Sequence, residues 1–306
     1  MLSSFFSKSK PINFIIIALY MLVFYIAANL KKGFVIEYAS VLLLIAGFVI
    51  YVLYMPVLNL ITQKNDLTLK STNTILLFAF LTAILPNSLT DIGILVANLF
   101  LILGIRSVLT LGSGKHIKAT ILDASLCIGI ASLAYFWSIA FISILFLGIL
   151  YFEPKNYRNW VIPIIGLMIV YILTNCFTLV FYDSFFEINN YMNAVSFSFE
   201  NYLTKDSIFS SGVLIICVVF FFSMYITKFK RKPAKTKPVV NLILMQLLVG
   251  LIIVIIAPEK NTSEMIFIAG PLAIIGTTYL ELDYNELVKE INIWVFLLIP
   301  FIALLF

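Results

Sequence analysis

Long apolar stretches alternate with short polar connections along the whole chain. A helix needs about 20 apolar residues to cross the hydrocarbon core of a bilayer, with a range of about 17 to 25. Eleven stretches fit or approach that length and predict spanning helices: 12–30, 38–61, 73–87, 91–111, 119–135, 137–152, 160–182, 208–227, 238–257, 265–280 and 291–306. Unpaired backbone groups are costly in lipid, and the alternating pattern of a barrel strand is missing. We therefore expect an all-α polytopic transmembrane bundle of about eleven spans, forming one integral membrane domain over residues 1–306.

Some of these stretches are short. Stretches 119–135 and 137–152 meet at the sequence Tyr-Phe-Trp, which predicts a tight hairpin with aromatic residues at the membrane interface. Stretch 265–280 contains Gly270-Pro271, and stretch 291–306 is equally short. Whether these last two fully cross, and on which side the C-terminus lies, stays open.

The distribution of basic residues predicts the orientation. The stretch Lys228–Lys237 has six Lys or Arg among its ten residues, and a short basic loop of this kind stays cytoplasmic. Counted outward from it, sixteen of the 20 Lys and Arg residues fall on the same side as the N-terminus. We expect a cytoplasmic N-terminus, and because stretch 12–30 is longer than a cleavable signal core, an uncleaved first span.

The composition excludes several classes of protein. With 62% hydrophobic and 11% charged residues and a mean hydropathy of +1.09, the chain is not an ordinary soluble protein. Orientation in the membrane already explains the net charge of +5, so we expect no nucleic-acid partner. The three cysteines lie inside apolar runs and His116 is the only histidine, so we expect no disulfide framework, metal site or cofactor.

Asp123 is the clearest charge within a predicted span. A carboxylate in hydrocarbon costs at least about 2.5 kcal/mol, so such residues pair or line a cavity. Because Asp123 lies near the cytoplasmic interface, pairing with Lys118 or Arg106 is favoured over a role in proton or substrate transfer.

Carboxylates in the outer connections are the candidates for acid–base chemistry. The weak candidates for a catalytic residue are Glu37, Asp91, Asp183 and Glu187, and the same side also holds Glu200, Asp206, Glu259 and Glu264. Exposed carboxylates are usually only solvated, so the catalytic residues remain unknown. We expect the longest connection, 183–206, to lie along the outer membrane interface, partly as an amphipathic helix.

Basic and aromatic residues on the inner side fit two roles. Arg106, Lys155, Arg158 and Trp160 are candidates for a lipid-phosphate site or an interfacial anchor, and the anchor is favoured. The segment Gly112–Lys115 shares part of a phosphate-binding loop pattern. It lacks the first glycine, the Ser/Thr after Lys and a preceding strand, so we set that interpretation aside.

Two segments resemble a known family. They are the opening S-S-F-F-S-K-S-K-P-I-N, and the block I-L-D-A-S-L-C-I-G-I-A-S-L-A-Y-F-W with the following Y-F-E-P-K-N-Y-R-N-W-V-I-P-I-I-G. They look like an uncharacterised family of polytopic inner-membrane proteins of Gram-negative bacteria. The resemblance covers most of the chain and implies a multi-pass protein of the bacterial inner membrane, with no known activity.

Residues 12–152 are distantly similar to the membrane module of GT-C glycosyltransferases. The similarity lies in the order of a first span, an outer connection, a long second span, a short span ended by Pro86, and paired short helices after a basic inner loop. That resemblance implies a polyprenyl-phosphate sugar as substrate, with residues 160–306 as additional C-terminal helices. Those enzymes carry a catalytic acid in a long first outer loop, whereas here that connection is short and holds only Glu37.

The expected function is therefore that of a non-catalytic or accessory component of envelope lipid or glycan handling. The alternative is a GT-C glycosyltransferase, and a second alternative is a small-molecule or lipid transporter, although no convincing internal repeat supports it. The expected partners are membrane lipids, among them a polyprenyl-phosphate lipid, and other membrane proteins.

Overall fold

The computed structural model describes residues 5–6, 9–33, 37–69, 71–192, 194–229, 236–258, 260–281 and 286–303. Most of these residues are helical, the others form turns and loops, and none is in a strand. In these ranges we number thirteen α-helices: α1 Pro11–Lys31, α2 Tyr38–Lys64, α3 Asn73–Ala83, α4 Pro86–Thr90, α5 Ile92–Thr110, α6 Ile117–Ala134, α7 Ile142–Phe152, α8 Tyr157–Tyr182, α9 Ile188–Tyr191, α10 Lys205–Phe229, α11 Lys237–Ile256, α12 Ile266–Leu280 and α13 Glu286–Ala303. Short 3₁₀ turns precede α7, α10 and α12.

Eight segments of the described chain are long and apolar enough to cross a membrane. They comprise α1, α2, α5, α6, α8, α10, α11 and α12, the last counted from Ser263. Each of the eleven predicted stretches contains a helix, but α3 and the segment Phe136–Phe152 are shorter apolar helices. The expected all-helical membrane protein is confirmed at this level.

Two boundaries differ from the sequence-based expectation. The predicted stretch 73–87 ends as a helix at Ala83, and α4 begins separately at Pro86 because proline has no N–H to continue the preceding helix. Stretch 137–152 begins as a 3₁₀ turn over Phe136–Phe141 before α7. The expected tight hairpin is present, since α6 ends at Ala134 and Tyr135 is extended. The basic stretch Lys228–Lys237 runs from the last residues of α10 to the first residue of α11. Its residues 230–235 lie outside the described residues, as do Lys8 and Glu259.

The centre of the bundle is the contact between α3 and α12. Every residue of α3 is buried, and α12 is buried from Ile266 to Thr277. Thr277 Oγ1 lies 3.0 Å from Thr74 Oγ1 and 2.7 Å from the carbonyl oxygen of Ala273, so the two helices share a polar contact inside an apolar core. Because lipid tails are as apolar as leucine, close packing and such contacts hold membrane helices together.

Glycine allows the close approach of α10 to this centre. A Cβ at Gly276 would lie 3.0 Å from the Phe221 ring and 3.2 Å from Leu77. By contrast, a Cβ at Gly212, on the same α10 as Phe221, would meet no atom within 4 Å.

The bundle has two ends that carry its polar residues. We call the end where α1 and α6 finish and α5, α10 and α12 begin the Asp91 end, and the opposite end the His116 end. At the Asp91 end, Lys31 of α1 meets Asp206 of α10 at 2.7 Å. At the His116 end, Ser71 Oγ donates to Glu281 at 2.8 Å, between the start of α3 and the end of α12.

We expect Gly276→Leu to destabilise the bundle, because the new side chain has no room between Phe221 and Leu77. Overpacking of this kind costs about 1–3 kcal/mol. The check is the apparent melting temperature in a mild detergent, with Gly212→Leu as the matched control. Equal melting temperatures for the two variants would contradict the packing described for α3, α10 and α12.

Candidate functional site

A strained turn between α11 and α12 forms the base of a polar cleft at the Asp91 end. Lys260 and Thr262 have φ angles of 34° and 70°, in the left-handed region that residues other than glycine rarely adopt. The turn is held from α4, where Asn87 Nδ2 donates to the carbonyl of Asn261 at 2.7 Å and Ser88 Oγ donates to that of Ser263 at 2.9 Å. Strain of about 1–3 kcal/mol per residue persists only where the surroundings determine the conformation, as here.

The turn buries the charged side chain of Lys260. This residue is 1% exposed, and its ammonium group donates to the carbonyl of Ser196. The Nζ atom also lies 4.0 Å from the ring centroid of Phe199 and 5.7 Å from that of Phe197. Both aromatic contacts are cation–π interactions, which compensate in part for the water that the ammonium loses.

Glu264 places a carboxylate next to this cation. It is 2% exposed and accepts a hydrogen bond from the hydroxyl of Tyr202. Burial raises the pKa of the Tyr202 hydroxyl well above its ordinary value, and the neighbouring Glu264 carboxylate raises this pKa further. Tyr202 therefore stays protonated and remains a hydrogen-bond donor to Glu264 at neutral pH.

The segment 183–204, which we call the cover segment, closes over both charges. At one end, Phe186 packs against Tyr171 of α8 with ring centroids 6.4 Å apart, and its N–H donates to Asn175 Oδ1 at 3.2 Å. At the other end, Ser196, Phe199 and Tyr202 contact the strained turn. Within its described residues, only the single-turn helix α9 and a 3₁₀ turn are helical. The expected amphipathic helix is thus limited to these short turns, and the cover segment folds onto Lys260 and Glu264.

Asp91 lies where two cavities meet. Its Oδ1 accepts from the N–H of Ile94 at 3.1 Å and thereby caps α5. One cavity, of about 150 Å³, is lined by Asp91, Tyr135, Lys260, Asn261, Ser263 and Glu264. The other, of about 340 Å³, is lined by Asp91, Asn261, Asn87, Lys31, Lys32 and Asp206. We call the two together the Asp91 cleft.

Three of the four weak candidates for a catalytic residue lie outside this cleft. Glu37 precedes α2, Asp183 follows α8 and Glu187 precedes α9, and all three are exposed. None of the three lines either cavity of the Asp91 cleft. Of the four residues predicted as weak catalytic candidates, Asp91 is the one that lines the cleft.

Sequence reasoning did not group the residues that accompany Asp91. Lys260 and Glu264 are visible in the sequence only as a cation and a carboxylate of a short outer connection, and Tyr202 gives no signal of its own. Tyr202 and Glu264 are separated by 62 positions. No local spacing pattern joins residues so far apart.

The inner candidates are spread over several surfaces at or near the His116 end. Trp160 stacks on Phe146 at 6.1 Å, while Lys155 and Arg158 are exposed and Arg158 lies 5.9 Å over the Tyr157 ring. Arg106 is partly buried on α5, and its Nε atom has no hydrogen-bond partner in the described chain. These contacts fit an interfacial anchor.

Asp123 is exposed on the surface of α6. Across the described ranges the ion pair is Lys31 with Asp206, so the expected pairing of Asp123 with Lys118 or Arg106 is absent from the structure. The physical reason is rotational: Asp123 lies on a different side of α6 from its buried neighbour Ala124, which faces Gly104 of α5.

The chemistry of the Asp91 cleft is that of polar recognition. It offers the ammonium groups of three lysines, the carboxylates of Asp91, Asp206 and Glu264, and the hydroxyl of Tyr135. The described part of the chain contains no group of three metal-ligating side chains. The arrangement can therefore bind a group that carries both hydroxyls and negative charge.

Eight membrane-length apolar helices and a polar cleft at one end of the bundle define an integral membrane protein. The chain belongs to the Family of unknown function (DUF6427), whose family model matches residues 1–306. Neither the comparison with curated proteins nor the comparison with solved structures gives a match.

We expect Tyr202→Phe to destabilise the protein, since it leaves the buried Glu264 carboxylate without its donor. A hydrogen bond to a charged group contributes about 1.5–3 kcal/mol. Thermal unfolding in detergent measures the loss, with the exposed Tyr182→Phe as control. In the Glu264→Gln background the loss should shrink, and an undiminished loss there would contradict the assigned contact.

Proposed function

We propose that this protein binds the headgroup of a membrane lipid in the Asp91 cleft and acts as a non-catalytic or accessory component of envelope lipid or glycan handling. The observation that carries this proposal is the burial of Lys260 beside Glu264 under an aromatic cover. Burying a charged group is costly even where it is hydrogen-bonded, so a buried ammonium and a buried carboxylate are a poor choice for stability alone. Binding of a polar ligand would account for the presence of these two charged groups.

The proposed location is the bacterial inner membrane, with the Asp91 end outside and about eleven crossings. The support for this orientation is the distribution of charge, because Lys64, Lys115 and Lys155 fall at the His116 end. The crossings beyond the eight membrane-length helices would be α3, the segment Phe136–Phe152 and α13. The short helix α3 and the short segment Phe136–Phe152 can lie within a membrane where neighbouring helices surround them.

The bonds of the three carboxylates in the cleft favour a non-catalytic role. Asp206 pairs with Lys31 at 2.7 Å. Glu264 is nearly inaccessible and bonded to Tyr202, and one oxygen of Asp91 caps α5. A general base needs an oxygen within reach of the proton that it removes. The first outer connection is also short, with Glu37 exposed and away from the cleft.

A second candidate is a GT-C-like glycosyltransferase that uses a polyprenyl-phosphate sugar. The observation in its favour is that Asp91 lines both cavities and that its Oδ2 has no hydrogen-bond partner within the described residues. Such an oxygen is available to an acceptor hydroxyl. The order of helices in residues 12–152 supports the same analogy, although a fold by itself does not determine an activity.

We expect the protein, extracted gently from its own membrane, to retain a lipid with a phosphate-bearing headgroup in native mass spectrometry. Lys260→Met should lower the retained fraction roughly tenfold, since charge-assisted hydrogen bonds to phosphate contribute strongly. Lys205→Met, an exposed lysine at the same end that does not line the cleft, is the matched control.

The melting temperature of each variant separates a loss of binding from a loss of folding. If Lys260→Met does not fold, Lys32→Met removes a cation from the second cavity instead. Equal lipid retention by the wild type and these variants would refute headgroup binding in the Asp91 cleft. Stoichiometric protein subunits that leave with the lipid would identify the accessory role.

Incubation with a polyprenyl-phosphate sugar tests the catalytic alternative. We expect the wild-type protein to release no free polyprenyl phosphate. Release by the wild type that disappears in Asp91→Asn and persists in Glu37→Gln would overturn the non-catalytic proposal. Asparagine still caps a helix, so Asp91→Asn preserves the start of α5.

A further inference from the structure

A second polar cavity lies at the His116 end, far from the Asp91 cleft. Its volume is about 430 Å³, and it is lined by His116, Ile117, Lys118, Ala119, Glu153, Asn156 and Asn159. These residues come from the start of α6, the connection after α7 and the start of α8. The cavity therefore lies where two helix N-termini meet.

The N-terminus of α6 is left open to this cavity. The first amide groups of a helix have no partner within it, and no side chain caps them at His116. The first internal bond that closes the turn runs from the Thr120 N–H to the carbonyl of His116, at 3.0 Å. The amides of Ile117, Lys118 and Ala119 precede it, and all three residues line the cavity. The N-terminus of α8 differs, because the Asn156 side chain accepts from the Arg158 N–H at 3.2 Å.

The side chain of Asn159 gives an independent indication of a ligand. It is 1% exposed, it lines the cavity, and its Oδ1 has no hydrogen-bond partner in the described chain. A buried amide oxygen without a donor costs about 1–3 kcal/mol. A ligand that presents a hydroxyl donor, such as the P–OH of a monoprotonated phosphate, would satisfy this oxygen.

The charges around the cavity favour an anion. Lys118 lies at its rim, and the N-terminal ends of α6 and α8 contribute positive partial charge. Glu153 is the opposing carboxylate, placed where α7 ends. Open helix N-termini are established binding sites for phosphate, because several N–H groups point at one anion.

We infer that this cavity binds a phosphate group through the α6 amides, Lys118 and the side chain of Asn159. The site needs none of the strand and loop pattern of a nucleotide-binding P-loop, which Gly112–Lys115 does not match. The phosphate can belong to an anionic lipid headgroup at the membrane surface or to a soluble compound, and both present the same chemistry. The inference does not depend on headgroup binding in the Asp91 cleft.

The test uses the full chain in phosphatidylcholine nanodiscs, with phosphatidic acid added at a low mole fraction. Native mass spectrometry measures the retained phosphatidic acid, and ³¹P NMR line broadening measures the binding of inorganic phosphate. Retention of phosphatidic acid without phosphate binding identifies a lipid headgroup as the ligand. Binding of inorganic phosphate that competes with the lipid identifies a soluble source, and both results support the site.

The variants separate this site from any other phosphate contact. Asn159→Ala should weaken binding roughly tenfold, since the hydrogen bond that Asn159 Oδ1 accepts from the P–OH of the phosphate group is lost. Its melting temperature should stay equal or rise, because an unsatisfied buried amide is removed. Lys118→Gln should weaken binding roughly threefold, whereas Lys64→Gln, an exposed lysine at the same end outside the cavity, should have no effect.

Glu153→Gln provides the most specific test of phosphate binding in this cavity. Removing the one carboxylate that lines the cavity should strengthen phosphate binding roughly threefold, an effect that a purely structural role of this loop would not produce. The inference is overturned if neither ligand binds the wild type. It is equally overturned if Asn159→Ala and Glu153→Gln bind phosphate as the wild type does.

Discussion

The packing of α3 against α12 is the contact on which the remaining structure depends. Both helices are surrounded by others, so their stability rests on close contact instead of on exclusion from water. One threonine pair and one glycine provide that contact. Thr74 meets Thr277, and Gly276 leaves room for Leu77 of α3 and for the Phe221 ring of α10. Helices around this pair then bury one face and leave the other to lipid, as the exposed surface of α8 shows.

Because the core of the bilayer contains no water, the polar and charged residues are concentrated at the two ends of the bundle. Backbone and charged groups need partners wherever helices begin and end. At the Asp91 end, α4 bonds the strained turn and the cover segment supplies partners to Lys260 and Glu264, whereas Trp137 Nε1 and Ser138 Oγ have no partner among the described residues. At the His116 end, no side chain caps the amides of α6, and Asn159 Oδ1 has no partner in the described chain. Each end therefore combines groups that the protein satisfies itself with groups that it leaves without a partner.

The differing outcomes for Asp91 and Asp123 show how far sequence reasoning reaches. Asp91 follows a short helix and precedes a long one, and its position at a helix start is readable from the chain. Asp123 is equally conspicuous, yet its partner depends on the rotation of α6 about its own axis. That rotation is set by packing of Ala124 against Gly104 on α5, which no pattern along one helix reveals.

The sequence by itself determined the class of protein, the approximate positions of the helices and the break at Pro86. Hydrophobicity and the missing N–H of proline are local properties that act wherever they occur. Only the tertiary structure decided that Asp91, Lys260 and Glu264 share one cleft, that Tyr202 donates to Glu264, and that the starts of α6 and α8 share one cavity. The reason is that these residues come from separate connections, and contacts among helices bring the connections together.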